Sequence, residues 1–192
     1  AYDRTLRQHG CHAAQVLLTA DDLDHRDRYL NVRNTLLKLL QFEVIPIINE
    51  NDTVAVDELM ITFGDNDRLA AVVTNLLRAP LLVILSDVEG LYNGDPKQPG
   101  AQLISTVACF DETIESYVRD TATQLGKGGM ASKLRAARMV TAAGENVIIA
   151  SGRCTDVLRR IMAGENLGTL FLAQGKSVRP WKRWIAFSAH PR

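Results

Sequence analysis

From Ala13 onward, short runs of apolar and β-branched residues alternate with longer stretches whose apolar positions recur at helical spacing. That alternation predicts an α/β fold, with βα units around a mostly parallel sheet. Strands are expected at Ala14 to Leu18, Val44 to Ile48, Leu81 to Leu85, Asn146 to Ala150 and Gly168 to Leu172. Three intervening stretches are expected as helices. Arg26 to Leu40 places Leu30, Leu36, Leu37 and Leu40 near one face, Asp67 to Arg78 carries Leu69, Val72, Val73 and Leu76, and Ser132 to Ala143 is Ala-rich with Leu134. Thr53 to Phe63 instead alternates through Val54, Val56, Leu59, Ile61 and Phe63, which predicts a hairpin arm or irregular excursion standing off the sheet. The stretch DVEGLYNGDPKQPGA, residues 87–101, is crowded with Gly and Pro and is expected as a long loop. Long loops in compact domains often carry function. Neither an internal repeat nor a low-complexity tract interrupts the pattern before residue 178.

Bulk composition narrows the possibilities. A chain of 192 residues can bury roughly 70% of its extended surface, enough for a real core. Hydrophobic residues at 46% and charged residues at 23% are ordinary for a globular protein, while 6% aromatics argues against a β-sandwich or a platform for stacking bases. With 22 basic and 22 acidic residues the formal charge is zero, so no whole-chain field draws the protein to nucleic acid or an anionic membrane. Any phosphate chemistry must therefore be local. Cys11, Cys109 and Cys154 are odd in number, far apart and without metal-ligand spacing, which points to a reducing cytoplasm and away from zinc. The longest apolar run, Pro80 to Leu85, is too short to span a bilayer, and AYDRTLRQHG lacks the apolar core of a signal peptide. A cytoplasmic, membrane-independent protein is expected.

In open α/β sheets ligands sit beyond the carboxyl ends of the strands, so the residues after each strand are the first candidates. After Val44 to Ile48 comes the polar knot Asn49-Glu50-Asn51-Asp52, and a second knot, Asp65-Asn66-Asp67, opens the next helix. The second knot alone is explained by an N-cap with acidic first-turn residues, worth about 1 kcal/mol. A cap does not call for the first knot. Two such knots suit a small zwitterion, carboxylates for its ammonium and amides for its carboxylate, and Asp52 is read as the amine acceptor.

A second candidate is LGKGGMASK, Leu125 to Lys133, where three glycines within four positions let backbone N–H groups cradle an anion ahead of a helix. A flexible turn before a helix explains the glycines equally well. Lys133 favours the anion, because a lysine in a first helical turn opposes the macrodipole by about 0.3 to 1 kcal/mol unless a phosphate reverses the sign. The stretch is not a Walker A loop, which needs GxxxxGK[ST]. A third candidate, ILSDVEGLYNGDP, places Ser86 and Asp87 at a strand's carboxyl end, with Gly90, Tyr92, Asp95 and Pro96 shaping a loop able to cover a flat heterocycle. A turn-rich loop is the plainer reading of that stretch. His9, His12, His25 and His190 have neither metal nor triad spacing, and Ser132 lacks a G-x-S-x-G context.

Taken together, VIPIINENDTVA, FGDNDRLAA, SDVEGLYNGDP and LGKGGMASKLRAA resemble the amino-acid kinase family, in the order that family keeps them and across residues 14–185. The pairing of INEND with GDND is similar to the branch that phosphorylates the side-chain carboxylate of glutamate at the start of proline synthesis. This resemblance implies a three-layer sandwich with a mostly parallel central sheet. It implies that Asp52, Asn66 and Asn49 hold L-glutamate, that Asp67 organises the phosphate-loop lysines, and that Ser86 and Asp87 meet the nucleotide. Lys127, Gly128, Gly129, Met130, Ala131, Ser132 and Lys133 would line the phosphates, with Lys133 on the transferring group. ATP is the implied phosphoryl donor, with Mg²⁺ carried on the nucleotide and no protein metal site. Direct attack by an already ionised carboxylate needs no general base, and catalysis would rest on positioning and charge neutralisation. Ser86 stands where the family commonly has threonine and keeps the hydroxyl.

The resemblance carries expectations about the ends. The family begins with a strand, a Gly-rich loop with a catalytic lysine and a serine-containing glutamate segment, none of which appears after Ala1. Residues 1–178 are therefore expected as a partial kinase domain with little activity alone, and 179–192, with Trp181-Lys182-Arg183-Trp184, as an extension toward an appended domain. Proline as a feedback inhibitor is implied by the resemblance alone. A homo-oligomer is expected, for which Arg26 to Leu40 and the excursion after Asp52 would supply a face. The alternatives are another phosphotransferase of the same family, specific for aspartate, a nucleotide or acetylglutamate, and a ligand-binding module without catalysis.

Overall fold

All five expected strands form, four of them longer by one or two residues and the last shorter by one at each end. The computed structural model describes residues 2–54, 65–121 and 129–174. The excursion expected at Thr53 to Phe63 falls, from residue 55 on, outside the described residues, as do Lys127, Gly128 and the extension at 179–192. The chain divides into two compact units, the first running to Leu69 and the second beginning at Ala70.

The first unit comprises α1 (Tyr2–Arg7), β1 (His12–Leu18), α2 (Ala20–Asp24), α3 (Arg26–Gln41) and β2 (Val44–Glu50). β1 and β2 pair in parallel from His12↔Val44 to Leu18↔Glu50. Helix α2 packs on α3 and α3 on β2, burying Leu18, Ala20, Leu23 and Leu36. The apolar stripe expected on α3 narrows to Leu36, which is fully buried, while Leu30 and Leu40 stay 40% and 48% exposed. Leu30 lies six positions before Leu36, and at about 100° per residue that sets it about 120° around the helix. His25 separates α2 from α3 because its backbone is extended, at φ −96° and ψ 122°.

The second unit takes up α4 (Asn66–Leu77) after its first turn and continues through β3 (Leu81–Ser86), β4 (Thr106–Val107), α5 (Glu112–Thr121), α6 (Met130–Ala142), β5 (Asn146–Ser151), α7 (Val157–Met162) and β6 (Thr169–Phe171). Its strands lie in the order β3-β5-β6-β4, with β3/β5 and β4/β6 parallel and β5/β6 antiparallel. The mostly parallel α/β class expected from the pattern therefore holds, with the strands of the described residues in two hydrogen-bonded sheets. Alternate β5 residues serve opposite faces, as the strand period of two requires. Val147 and Ile149 pack with Leu134, Ala137 and Val140 of α6 and with Phe171, and Ala150 packs with Val157 and Ile161 of α7. Phe110 stacks on Phe171 with ring centroids 5.5 Å apart.

One glycine fixes the entry to β6. Gly168 sits at φ +75°, and a Cβ there would lie 2.1 Å from Ile149 O. No side chain fits at that approach. Among the described residues no helix is long and apolar enough to cross a membrane.

Candidate functional site

In the first unit the polar residues gather where β1 and β2 end together. The ladder closes at Leu18↔Glu50, and Asn51 N–H adds a further bond to Leu18 O at 2.8 Å. A tight turn follows, in which Val54 N–H donates to Asn51 O at 3.2 Å and Thr53 Oγ1 to Asn51 Oδ1 at 2.8 Å. Asn49 and Asp52 are exposed on this turn and the strand that leads to it. Helix α4 begins with Asp65 as its cap, the carboxylate accepting Arg68 N–H at 2.8 Å. The capping explanation of the second knot therefore belongs to Asp65. Asn66 and Asp67 occupy the first turn, Asn66 exposed and Asp67 half-buried, where an acidic side chain also complements the helix dipole.

The sequence reading passed over the end of β1. Thr19 and Asp22 form a capping box there, beside the β2 end in register. The Thr-x-x-Asp spacing directly after an apolar strand was the available signal.

In the second unit Ser86 and Ser151 close the parallel β3/β5 ladder side by side. Gly152 N–H donates to Ser86 O at 2.7 Å, and Ser86 Oγ lies 3.1 Å from Asp87 Oδ1. Helix α6 joins β5 through the short connection 143–145, so the two run in opposite directions in contact. Thirteen residues of α6 rise about 20 Å, and six residues of β5 extend about 20 Å. The N-terminus of α6 is therefore level with the strand ends that carry Ser86, Asp87 and Ser151. Gly129 is its N-cap, with no side-chain cap bond and no acidic residue in the first turn. Ser132 is buried, while Met130, Ala131 and Lys133 are half-buried. The first N–H groups of a helix are the ones its own turns leave without a carbonyl, and its N-terminus is the end that favours negative charge.

The loop after β3 is more ordered than its Gly and Pro content predicts. Leu91 to Asn93 runs antiparallel to Gln102 to Ile104, with Asn93 N–H donating to Gln102 O at 3.1 Å and Ile104 N–H to Leu91 O at 2.8 Å, and a bridge at Tyr92↔Leu103. Leu91 N–H also donates to the buried Thr169 Oγ1 at 2.8 Å, so the loop is fastened to β6. Gly90 permits this, since a Cβ there would lie 2.6 Å from that oxygen. Tyr92 is half-buried. Its hydroxyl donates to Glu89 Oε2, and that hydrogen bond, with desolvation and the carboxylate's charge behind it, raises the phenol above its usual value.

Residues 1–151 match the model of the amino acid kinase family. The chain belongs to the amino acid kinase family. Among curated amino acid kinases, glutamate 5-kinase of Pseudomonas fluorescens (strain Pf0-1) is 49% identical over 187 residues, covering 97% of this chain and 50% of that protein. Glutamate 5-kinase of Citrifermentans bemidjiense is 48% identical over 192 residues, or 100% of this chain and 51% of that protein. The chain thus spans about half the length of the curated relatives it matches. Isopentenyl phosphate kinase of T. acidophilum, solved as a product complex, aligns with a TM-score of 0.57 over 88% of this chain and 63% of its own, at 17% identity. That likeness is one of fold.

Proposed function

We propose that the protein phosphorylates the side-chain carboxylate of L-glutamate at the expense of ATP, giving glutamyl 5-phosphate for proline synthesis in the cytoplasm. The observation that carries this reading is identity of nearly half the residues, over essentially the whole chain, to proteins named glutamate 5-kinase. In this reading Asn49, Asp52 and Asn66 hold glutamate, Asp52 taking the ammonium. Ser86 and Asp87 meet the nucleotide, and the α6 N-terminus from Gly129 to Lys133, preceded by Lys127 and Gly128, holds its phosphates. The residues present fit such a guest: a glycine cap, an acid-free first turn and a half-buried lysine suit an anion and disfavour a cation. ATP supplies the phosphoryl group, and Mg²⁺ arrives on its phosphates.

A glutamate carboxylate oxygen forms the new bond to the γ-phosphorus as the bond from that phosphorus to the bridging oxygen breaks, and ADP leaves with the electron pair. No proton must be removed from the nucleophile. The protein's part is to align the two anions and offset their repulsion, Lys133 acting on the transferring group and Asp67 positioning the lysines.

The roles separate in kinetics. In the full-length protein Lys133→Ala is expected to lower kcat by about 10² or more, the scale of a lost charge stabiliser, with a small change in glutamate KM. Asp52→Ala is expected to raise glutamate KM about tenfold or more, the scale of a lost charged hydrogen bond. Equal losses of stability with unchanged kinetic constants would return both residues to capping and turn roles.

A further inference from the structure

The peptide unit joining Leu18 to Thr19 is held from both sides. Its carbonyl accepts Asn51 N–H at 2.8 Å, and its N–H donates to Asp22 Oδ2 at 2.9 Å. The same carboxylate oxygen accepts Thr19 Oγ1–H at 2.8 Å, and Asp22 N–H returns a bond to Thr19 Oγ1 at 3.3 Å. We infer that Asp22 is a positioning residue for the substrate turn at Asn49 to Asp52, acting through this one peptide unit. The inference rests on the reading of that turn as the glutamate pocket.

Three features make the link directional. Asn51 lies one residue beyond the last strand pair, Leu18↔Glu50, so its bond to Leu18 O is the final rung before the turn that carries Asp52. Hydrogen bonds in series polarise one another, so a carboxylate on the N–H side strengthens the carbonyl as an acceptor. Asp22 is itself anchored, because α2 is seated by Ala20 and Leu23, which are 4% and 5% exposed. Its other oxygen lies 3.8 Å from Arg28 Nη1, leaving Oδ2 to Thr19. A cap that served only the five residues of α2 would leave the far side of the peptide unit without consequence.

The test compares Asp22→Ala with Asp22→Glu, which keeps a capping carboxylate. In this chain, amide hydrogen exchange at Asn51 is expected to quicken about five- to tenfold in Asp22→Ala, the scale of one lost cap, while β5 amides are unchanged and Asp22→Glu restores protection. In the full-length protein glutamate KM is expected to rise by a similar factor, with MgATP KM and kcat within about twofold of wild type. Unchanged Asn51 exchange overturns the link, and so does faster exchange with an unmoved glutamate KM. A joint fall of kcat and rise of both KM values marks general damage and also overturns it. Failure of the wild-type protein to use glutamate sinks the glutamate reading, and Asn51 exchange still decides whether Asp22 positions the turn. Asp22→Leu, which keeps the side-chain size and removes the acceptor, carries the same test if the alanine variant does not fold.

Discussion

Replacing Thr169 by valine keeps the side-chain shape and removes one buried acceptor. Thr169 is 0% and Leu91 2% exposed, and the bond between Leu91 N–H and Thr169 Oγ1 is 2.8 Å long. In Thr169→Val the Leu91 N–H loses that acceptor without gaining water, which costs about 1–3 kcal/mol. With a urea slope of about 1–3 kcal/mol/M the unfolding midpoint falls by about 1 M. Thr169→Ser keeps the acceptor and loses one methyl, about 0.8 kcal/mol. Hydrogen exchange separates the two variants. Leu91 amide protection disappears in the valine variant and persists in the serine variant, although both are destabilised. If Ser86 and Asp87 meet the nucleotide as proposed, MgATP binding is expected to weaken more in the valine variant, because Leu91 anchors the segment that follows them. A stability change within about 0.5 kcal/mol, with the Leu91 amide still protected, would refute the claim that this bond fastens the loop to β6.

Other consequences follow from single contacts. Gly168 and Gly10 have similar backbone angles, φ +75° and +73°, but only Gly168 is crowded, since Gly10 has nothing within 4 Å of its Cβ position. Gly10→Ala should cost only the conformational penalty of about 1–2 kcal/mol, and Gly168→Ala at least about 3 kcal/mol in total, with a loss of β6 exchange protection. Asp65→Ala removes the α4 cap and is expected to cost about 1 kcal/mol by denaturant titration. The raised phenol of Tyr92 stabilises the fold fully below its unfolded value of about 10, and that contribution is lost as pH rises through the higher folded value. Urea midpoints of wild type and Tyr92→Phe are therefore expected to differ at neutral pH and to converge under alkaline conditions.

The legible parts of the chain were those where burial imposes a period. β3 and β5 read as apolar runs because a parallel sheet covered on both faces has no polar side, and α6 read as a helix through its alanines and Leu134. The elements that escaped, α2, α5, α7 and β4, are short, or amphipathic and polar. β4 has two residues and exists because β6 offers it an edge. In the candidate site, the strand-end rule led directly to Asn49, Asp52, Ser86 and Asp87. The Thr19–Asp22 box is itself local, as its Thr-x-x-Asp spacing shows, but what ties it to the turn after β2 is the parallel register that sets Leu18 beside Glu50, a long-range fact. The loop over 87–101 read as irregular for a similar reason: its order comes from Thr169, 78 positions from Leu91.

The most direct test of the account is substrate-stimulated ADP release by the full-length protein, with the acyl phosphate trapped by hydroxylamine. Glutamate is expected to stimulate release and yield glutamyl hydroxamate in equal amount, with both lost in Lys133→Ala. Stimulation by aspartate, acetylglutamate or UMP in place of glutamate, or ADP release without hydroxamate, would contradict it.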